Sequence, residues 1–569
     1  MTARDGRILR LIVLCMVIAG LVLPILAGLW ETGRAGFGLL PAIGANTFSL
    51  DPWRQLFALP GFLTSIRLTL WTGFASTALA LLLAVGFAAA MYDRFGLKGG
   101  ARLLTPFLAV PHAAVAIGLA FLISPSGWIA RMLSPWLTGW VRPPDLATVN
   151  DPMGLALILG LLIKEVPFLL LVILAALSQL PVRRHLAAGR ALGYGRGVVW
   201  IKVILPQLYP LIRLPVYVVL AYGLSVVDMA IILGPSNPPV LAVAVMRWFL
   251  SADIGLILPA SAAALVQTAI VIGAVALWWR SERFLAWLGR HWIRRGGRGV
   301  SAEPGLMAAG AGVLVLMALG AAAMLALLVW SLAWRWSFPA FLPESWSLSA
   351  WMRPGIGWGS ALGNTVFIGL STTAIALVLA VAWLEGEDRA EMPRAKWAEA
   401  LIYLPLLVPQ IAFLYGLNVT LLRVGVTGGS SAVIWGHALF VFPYVMIALS
   451  DPWRALDPRL LRAAAALGAG ATRRLLLVKL PILLRPLLTA AAIGFAVSVA
   501  QYLPTLFLGA GRITTLTTEA VTLSSGSDRR VSGVYAVLQA TLPFVVYLAA
   551  LALPTILHRN RQGLSGAGT

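Results

Sequence analysis

AAGRALGYGRGVVWIKVILP, residues 187–206, and RAAAALGAGATRRLLLVKLP, residues 462–481, are two versions of one loop. In each, small residues lead to a glycine, Gly193 or Gly468. A Leu-Pro pair, Leu205-Pro206 or Leu480-Pro481, then closes the loop, its proline thirteen residues past that glycine. The copies stand 275 positions apart (Gly468 against Gly193), and both are basic and set between long apolar runs. A device repeated at fixed spacing marks a duplicated chain.

The surrounding composition says what the halves are. Apolar residues make up 60% of 569 positions and charged residues 11%, against about 25% charge in soluble chains. Runs long enough to cross a bilayer fall near 8–29, 66–90, 103–123, 153–177, 209–233 and 256–279. Six more fall near 306–334, 362–384, 401–422, 431–450, 483–508 and 534–557. The expected architecture is an all-α polytopic membrane protein of about twelve spans, in two parallel six-helix repeats. Residues 1–280 form the first unit, 281–305 a basic cytoplasmic connector, and 306–569 the second unit.

The formal charge of +22 would point to nucleic acid in a soluble chain. Here most of the Lys and Arg fall in alternate connections between spans, which are then cytoplasmic. That bias makes nucleic acid an unneeded partner and puts both termini, and both repeated loops, in the cytoplasm. The apolar run behind Arg4, Arg7 and Arg10 is too long for a signal-peptide core and reads as a retained first span. The single Cys15 excludes an intrachain disulfide, and the 22 tryptophans mostly flank spans, as an interfacial belt does.

The repeat extends past the loops. Ile232-Leu233-Gly234 matches Phe507-Leu508-Gly509, and Leu241 matches Leu516. Earlier in each half, Val110-Pro111-His112 echoes Val408-Pro409-Gln410, and Gly118 echoes Gly416. Within the second loop, Asp457-Pro458 starts a short helix as N-cap and first-turn proline. Gly468 ends that helix in a left-handed conformation, and Thr472 is expected to cap a second one. Two short helices joined at glycine make a surface knob, with small residues that would let a partner approach.

This pattern resembles the EAA loop of binding-protein-dependent ABC importer permeases: Glu-Ala-Ala, three residues, Gly, nine residues, Ile-x-Leu-Pro. Ala187-Ala188-Gly189 and Arg462-Ala463-Ala464 occupy the Glu-Ala-Ala slots, Gly193 and Gly468 the glycine slot. Val203 and Val478 replace Ile, and the Glu is absent from both copies. The resemblance covers nearly the whole chain, as a tandem of two type I permease domains similar to those of ferric-iron and thiamine uptake. It implies that loops 183–206 and 457–481 dock on a cytoplasmic ATPase dimer, that a periplasmic solute-binding protein delivers the cargo, and that the site is the bacterial inner membrane.

No Gly-x-x-x-x-Gly-Lys-Ser/Thr loop is present, so ATP is expected on a separate subunit and the chain needs no cofactor of its own. Scattered histidines and carboxylates give no catalytic or metal-binding constellation. Polar residues within spans are the candidate pathway: Lys164, Glu165, Asp228, His112, Gln410 and Gln501. Such residues are expensive in lipid and turn toward a bundle interior. A twelve-span facilitator is the rival reading, because Asp93-Arg94-Phe95-Gly96-Leu97-Lys98 approaches that class's signature in the matching loop.

Overall fold

The structure is a computed structural model that describes residues 3–296, 303–353, 357–390, 396–426, 428–526 and 528–557; side chains at 3–5, 93–108, 396 and 399 lie outside the description. The first half opens with α1 (Ala3–Val17) and α2 (Leu23–Gly36), joined by a π-helical turn at Ile18–Val22. A two-stranded hairpin (Leu39–Leu40 with Ala45–Asn46) and α3 (Asp51–Ala58) lead into α4 (Phe62–Ala109). Beyond Pro111 come α5 (His112–Ile123), α6 (Trp128–Leu133) and α7 (Leu155–Leu177). The loop itself is α8 (Val182–Ala191) and α9 (Arg196–Val199), and a π turn at Trp200–Ile204 carries it into α10 (Leu205–Ser225). α11 (Asp228–Leu233), α12 (Leu241–Phe249) and α13 (Ile257–Arg294) complete this half.

The second half repeats the order. α14 (Glu303–Leu332), a hairpin (Ala333–Arg335 with Ser345–Trp346), α15 (Ser349–Met352) and α16 (Trp358–Ala390) come first. α17 (Lys396–Leu407), α18 (Gln410–Arg423) and α19 (Ser430–Arg454) follow. The second loop is α20 (Pro458–Ala466), α21 (Ala471–Arg474), a π turn at Leu475–Lys479 and α22 (Leu480–Ile482). α23 (Leu484–Val499), α24 (Leu503–Gly509), α25 (Leu516–Ser524) and α26 (Arg529–Leu557) end the described chain.

Among the described residues, ten helices are long and apolar enough to cross a membrane, or twelve if two bent pairs each count as one span. The pairs are Ala400–Leu407 with Gln410–Arg423, bent by 102°, and Ala471–Ile482 with Leu484–Val499, bent by 76°. The chain is an all-α polytopic membrane protein. Its outward faces carry exposed Leu, Ile, Phe and Trp, such as Leu82, Ile272 and Phe367, which lipid solvates.

Several expected spans are divided. The run 103–123 belongs to two helices, because Val110-Pro111 breaks the chain between α4 and α5. The run 209–233 stops at Ser225 and restarts at Asp228, and 483–508 stops at Val499 and restarts at Leu503. Each of the latter breaks must satisfy its freed carbonyl, since an unpaired one in lipid costs several kcal/mol. In the first half Gln267 Nε2 donates to Leu224 O at 2.9 Å. At the matching place Thr517 Oγ1 donates to Val499 O, and Gln539 Nε2 holds that hydroxyl at 2.7 Å. Ala242 stands where Thr517 does, so the first half's glutamine reaches the carbonyl directly. The expected connector 281–305 is also partly regular: α13 runs on to Arg294 and α14 starts at Glu303.

The halves interlock through their first spans. α2 packs along α18 and α14 along α5, each half's first span against the other's third. At the crossings the backbones touch. A Cβ on Gly118 would meet Ala323 O at 2.5 Å, and one on Gly416 would run into Gly28 O. Small residues let membrane helices approach until backbone packing supplies the association that water supplies elsewhere.

Candidate functional site

The two loops share most of their element boundaries, the first helices differing by one residue at the start. α9 and α21, and the π turns after them, begin and end 275 residues apart, and α12 and α25 do likewise. Gly193 (φ +75°) and Gly468 (φ +81°) both adopt the left-handed conformation after the first short helix. Asp457 caps α20 as expected, accepting from Arg459 N at 2.8 Å. Thr472 does not cap α21; Gly470 holds that position and Thr472 lies inside the helix.

The small residues divide their work. Gly189 is buried, and a Cβ there would press into the Val199 side chain, so it closes α8 onto α9 within the knob. Ala187 and Ala188 are exposed, as are Arg462 and Ala463, with Ala464 half-buried. At the tip, Leu192 is 63% and Leu467 88% exposed. These leucines stand at equivalent exposed positions that reasoning from the motif passed over; their shared offset was the available signal.

The Leu-Pro ending has a structural reason. Leu205 N–H bonds Trp200 O and Leu480 N–H bonds Leu475 O, the i→i−5 pattern of a π turn. Leu23, ahead of Pro24, bonds Ile18 O in the same way. Proline lacks an N–H and its ring crowds the carbonyl four residues back; a wider turn accommodates the ring. The first loop therefore runs unbroken through its π segment into α10, whereas in the second α22 ends at Ile482 and the chain bends by 76° into α23. Leu205 is half-buried, Pro206 exposed, and Leu480 and Pro481 half-buried.

Each loop is also tied to its own half. Lys479, buried in the second π turn, reaches Glu385 Oε2 and Asp388 Oδ2 at the end of α16, each at 2.5 Å. Arg389 and Glu385 pair at 2.7 Å, Arg454 and Glu387 at 3.0 Å. In the first half Lys202 sits 4.3 Å over the Trp292 ring of α13, and Tyr209 donates to Glu282, which also pairs with Arg213.

Deeper in the bundle, most of the candidate pathway residues converge on helix breaks. Lys164 and Glu165 are both buried in α7. Lys164 Nζ donates to Val110 O at 2.6 Å, at the α4–α5 break. His112 opens α5, its ring centroid 4.8 Å from that of Tyr222. Asp228 opens α11 after the break instead of lying within a span. Gln501 is buried in the α23–α24 break, and Gln410 is half-buried at the start of α18, where α5 has His112. By contrast, His437 is held by Ser498 Oγ at 2.8 Å and Thr505 Oγ1 at 2.9 Å, a packing bond. Among the described residues no group of three or more His, Cys, Asp or Glu could hold a metal. The Asp93–Lys98 segment of the rival reading is helical, and its side chains lie outside the description.

No family model matches the chain. The inner membrane ABC transporter permease protein YnjC of Escherichia coli (strain K12) is 33% identical over 532 residues, spanning 92% of this chain and 95% of that protein. With that identity over nearly its full length, the chain belongs to the ABC transporter permease family of the inner membrane and is a transport subunit, not an enzyme.

Proposed function

We propose that this chain is a complete translocation pathway made of two fused type I permease domains, 1–280 and 306–569, in an ATP-driven importer. The loops 183–206 and 457–481 engage the two subunits of a cytoplasmic ATPase dimer, and both termini face the cytoplasm. A periplasmic solute-binding protein delivers the cargo, and the resemblance to ferric-iron and thiamine permeases gives the two cargo candidates.

One observation carries the coupling role: two knobs whose second short helix and π turn match residue for residue at an offset of 275, with the same left-handed glycine before them. The first knob continues unbroken into α10, and the second, bent by 76° before α23, is braced on α16 through Lys479, so each can pass rigid-body motion into the bundle. The lost Glu leaves the contact to Ala187, Arg462 and the exposed leucines. The test is Gly193→Val and Gly468→Val in the assembled transporter, reading cargo uptake and ATP hydrolysis together. A β-branched residue in the left-handed region costs about 1–2 kcal/mol, so the knob deforms and uptake falls relative to hydrolysis. Normal uptake by both variants would sink the docking role. Calorimetry on the solute-binding protein that co-purifies with this chain identifies the cargo.

A further inference from the structure

Glu165 is 4% exposed, yet among the described residues neither carboxylate oxygen has a hydrogen-bond partner. A carboxylate buried this way is costly and is kept where it meets a counter-charge. Lys164, its neighbour in sequence, points elsewhere, onto Val110 O, as the turn of about 100° between adjacent helical residues requires. Glu165 Oε1 lies instead over Gly223 of α10, beside Ser76 Oγ.

The surroundings are acidic and aromatic with one base among them, the His112 ring lying 4.8 Å from that of Tyr222. Tyr222, next to Gly223, is within electrostatic reach of Glu165, Asp228 and Tyr444. Tyr502, across the break in the other half, is within reach of Asp228. Asp228 is 9% exposed, and its carboxylate accepts from the backbone N–H of Met229. Both acids come from the first half; Leu503 stands at the place of Asp228, and Val441-Phe442 near that of Lys164-Glu165.

We propose that Glu165 and Asp228, with the rings of Tyr222, Tyr444 and Tyr502, form a cargo subsite for an organic cation. This rests on the permease reading and selects between its two cargo candidates. Carboxylates supply the counter-charge, and tyrosine faces favour a quaternary or delocalised cation over a compact hydrated one. A bare metal ion would need several converging donor side chains, and among the described residues no such group exists. The site draws residues from both halves, so cargo held there couples them.

The test uses full-length permease in lipid nanodiscs, titrated calorimetrically with thiamine, tetraethylammonium, sulfate and ferric citrate. Saturable binding of at least one organic cation is expected, with no binding of sulfate or ferric citrate. Glu165→Gln and Asp228→Asn each weaken that binding by about tenfold or more, and Glu165→Asp restores part of it. Gln reproduces a neutral carboxyl, so wild-type binding by E165Q makes Glu165 a packing group and overturns the proposal. So does a wild type that binds neither cation, or that binds sulfate or ferric citrate. Should E165Q fail to fold, D228N reads the same quantity. Co-purification of wild type and each variant with the ATPase is followed in parallel. Wild type that binds the cation but does not assemble defeats the coupling reading alone. Wild type that assembles but binds no cation defeats the subsite alone, and variants that assemble yet bind weakly are the expected result.

Discussion

Lys479 Nζ lies 2.5 Å from Glu385 Oε2, fixing the π turn of the second loop to the end of α16. Both side chains are 5% exposed, so the pair is deeply desolvated. The equivalent of Lys479 in the first loop is Ile204, also buried. The same packing position is thus solved once with charge and once with hydrocarbon.

Breaking a buried pair from one side leaves an uncompensated charge and costs about 3–5 kcal/mol, while replacing the pair by apolar groups is often neutral. Lys479→Ile, the first half's residue, leaves Glu385 paired with Arg389 and should therefore destabilise by less than that, about 1–3 kcal/mol. Adding Glu385→Leu should return most of that loss. Denaturant unfolding in detergent measures both; a double variant less stable than K479I contradicts the account.

The prolines that follow the π turns can be removed one at a time. Pro206→Ala and Pro481→Ala restore an N–H and should let ordinary α-helical bonding replace the wide turn. Stability should hold or rise, since an interior helical proline is worth about 3 kcal/mol less than alanine. The loop would rotate on its span, and ATP-coupled uptake should fall. Spin-label distances between α8 and α10, or between α20 and α23, read the rotation; unchanged distances would refute it.

The crossings of first and third spans tolerate no side chain. Gly118→Val drives a branched side chain into Ala323 O, and Gly416→Val does the same at Gly28 O. Each should cost at least about 1–3 kcal/mol of overpacking and lower the yield of folded protein. Ala323→Gly, which introduces no clash, should cost only the helix penalty of about 1 kcal/mol. Thermal unfolding of purified protein separates these outcomes.

Capping of the two breaks should respond unequally. Gln267→Leu strips Leu224 O of its donor, whereas Gln539→Leu leaves Thr517 bonded to Val499 O. A polar bond of this kind in a membrane bundle is worth about 0.6–1.7 kcal/mol, so Q267L should be the more destabilising. Equal effects in unfolding measurements would mean the carbonyls are not the reason for these glutamines.

Much of this was written plainly in the chain. Duplication, the number of apolar runs, the left-handed glycines and the Asp457 cap follow from local rules: hydrophobic length, the cost of φ > 0 and the geometry of helix ends. The breaks at Ser225 and Val499 were not legible, because an apolar run reads the same whether one helix or two occupy it. Thr472 was misread since a hydroxyl one residue into a helix looks like a cap until the turn before it is known.

The sequence by itself determined that the protein is a duplicated membrane bundle with two equal knobs, since spacing and hydropathy are properties of the string. Only the tertiary structure decided that Gly189 serves the knob's interior, that the Leu-Pro pairs terminate π turns, and that Glu165, among the described residues, has no hydrogen-bond partner near Tyr222. These depend on which faces of distant helices meet. In lipid that choice is made by close packing and by the need of every buried polar group for a partner.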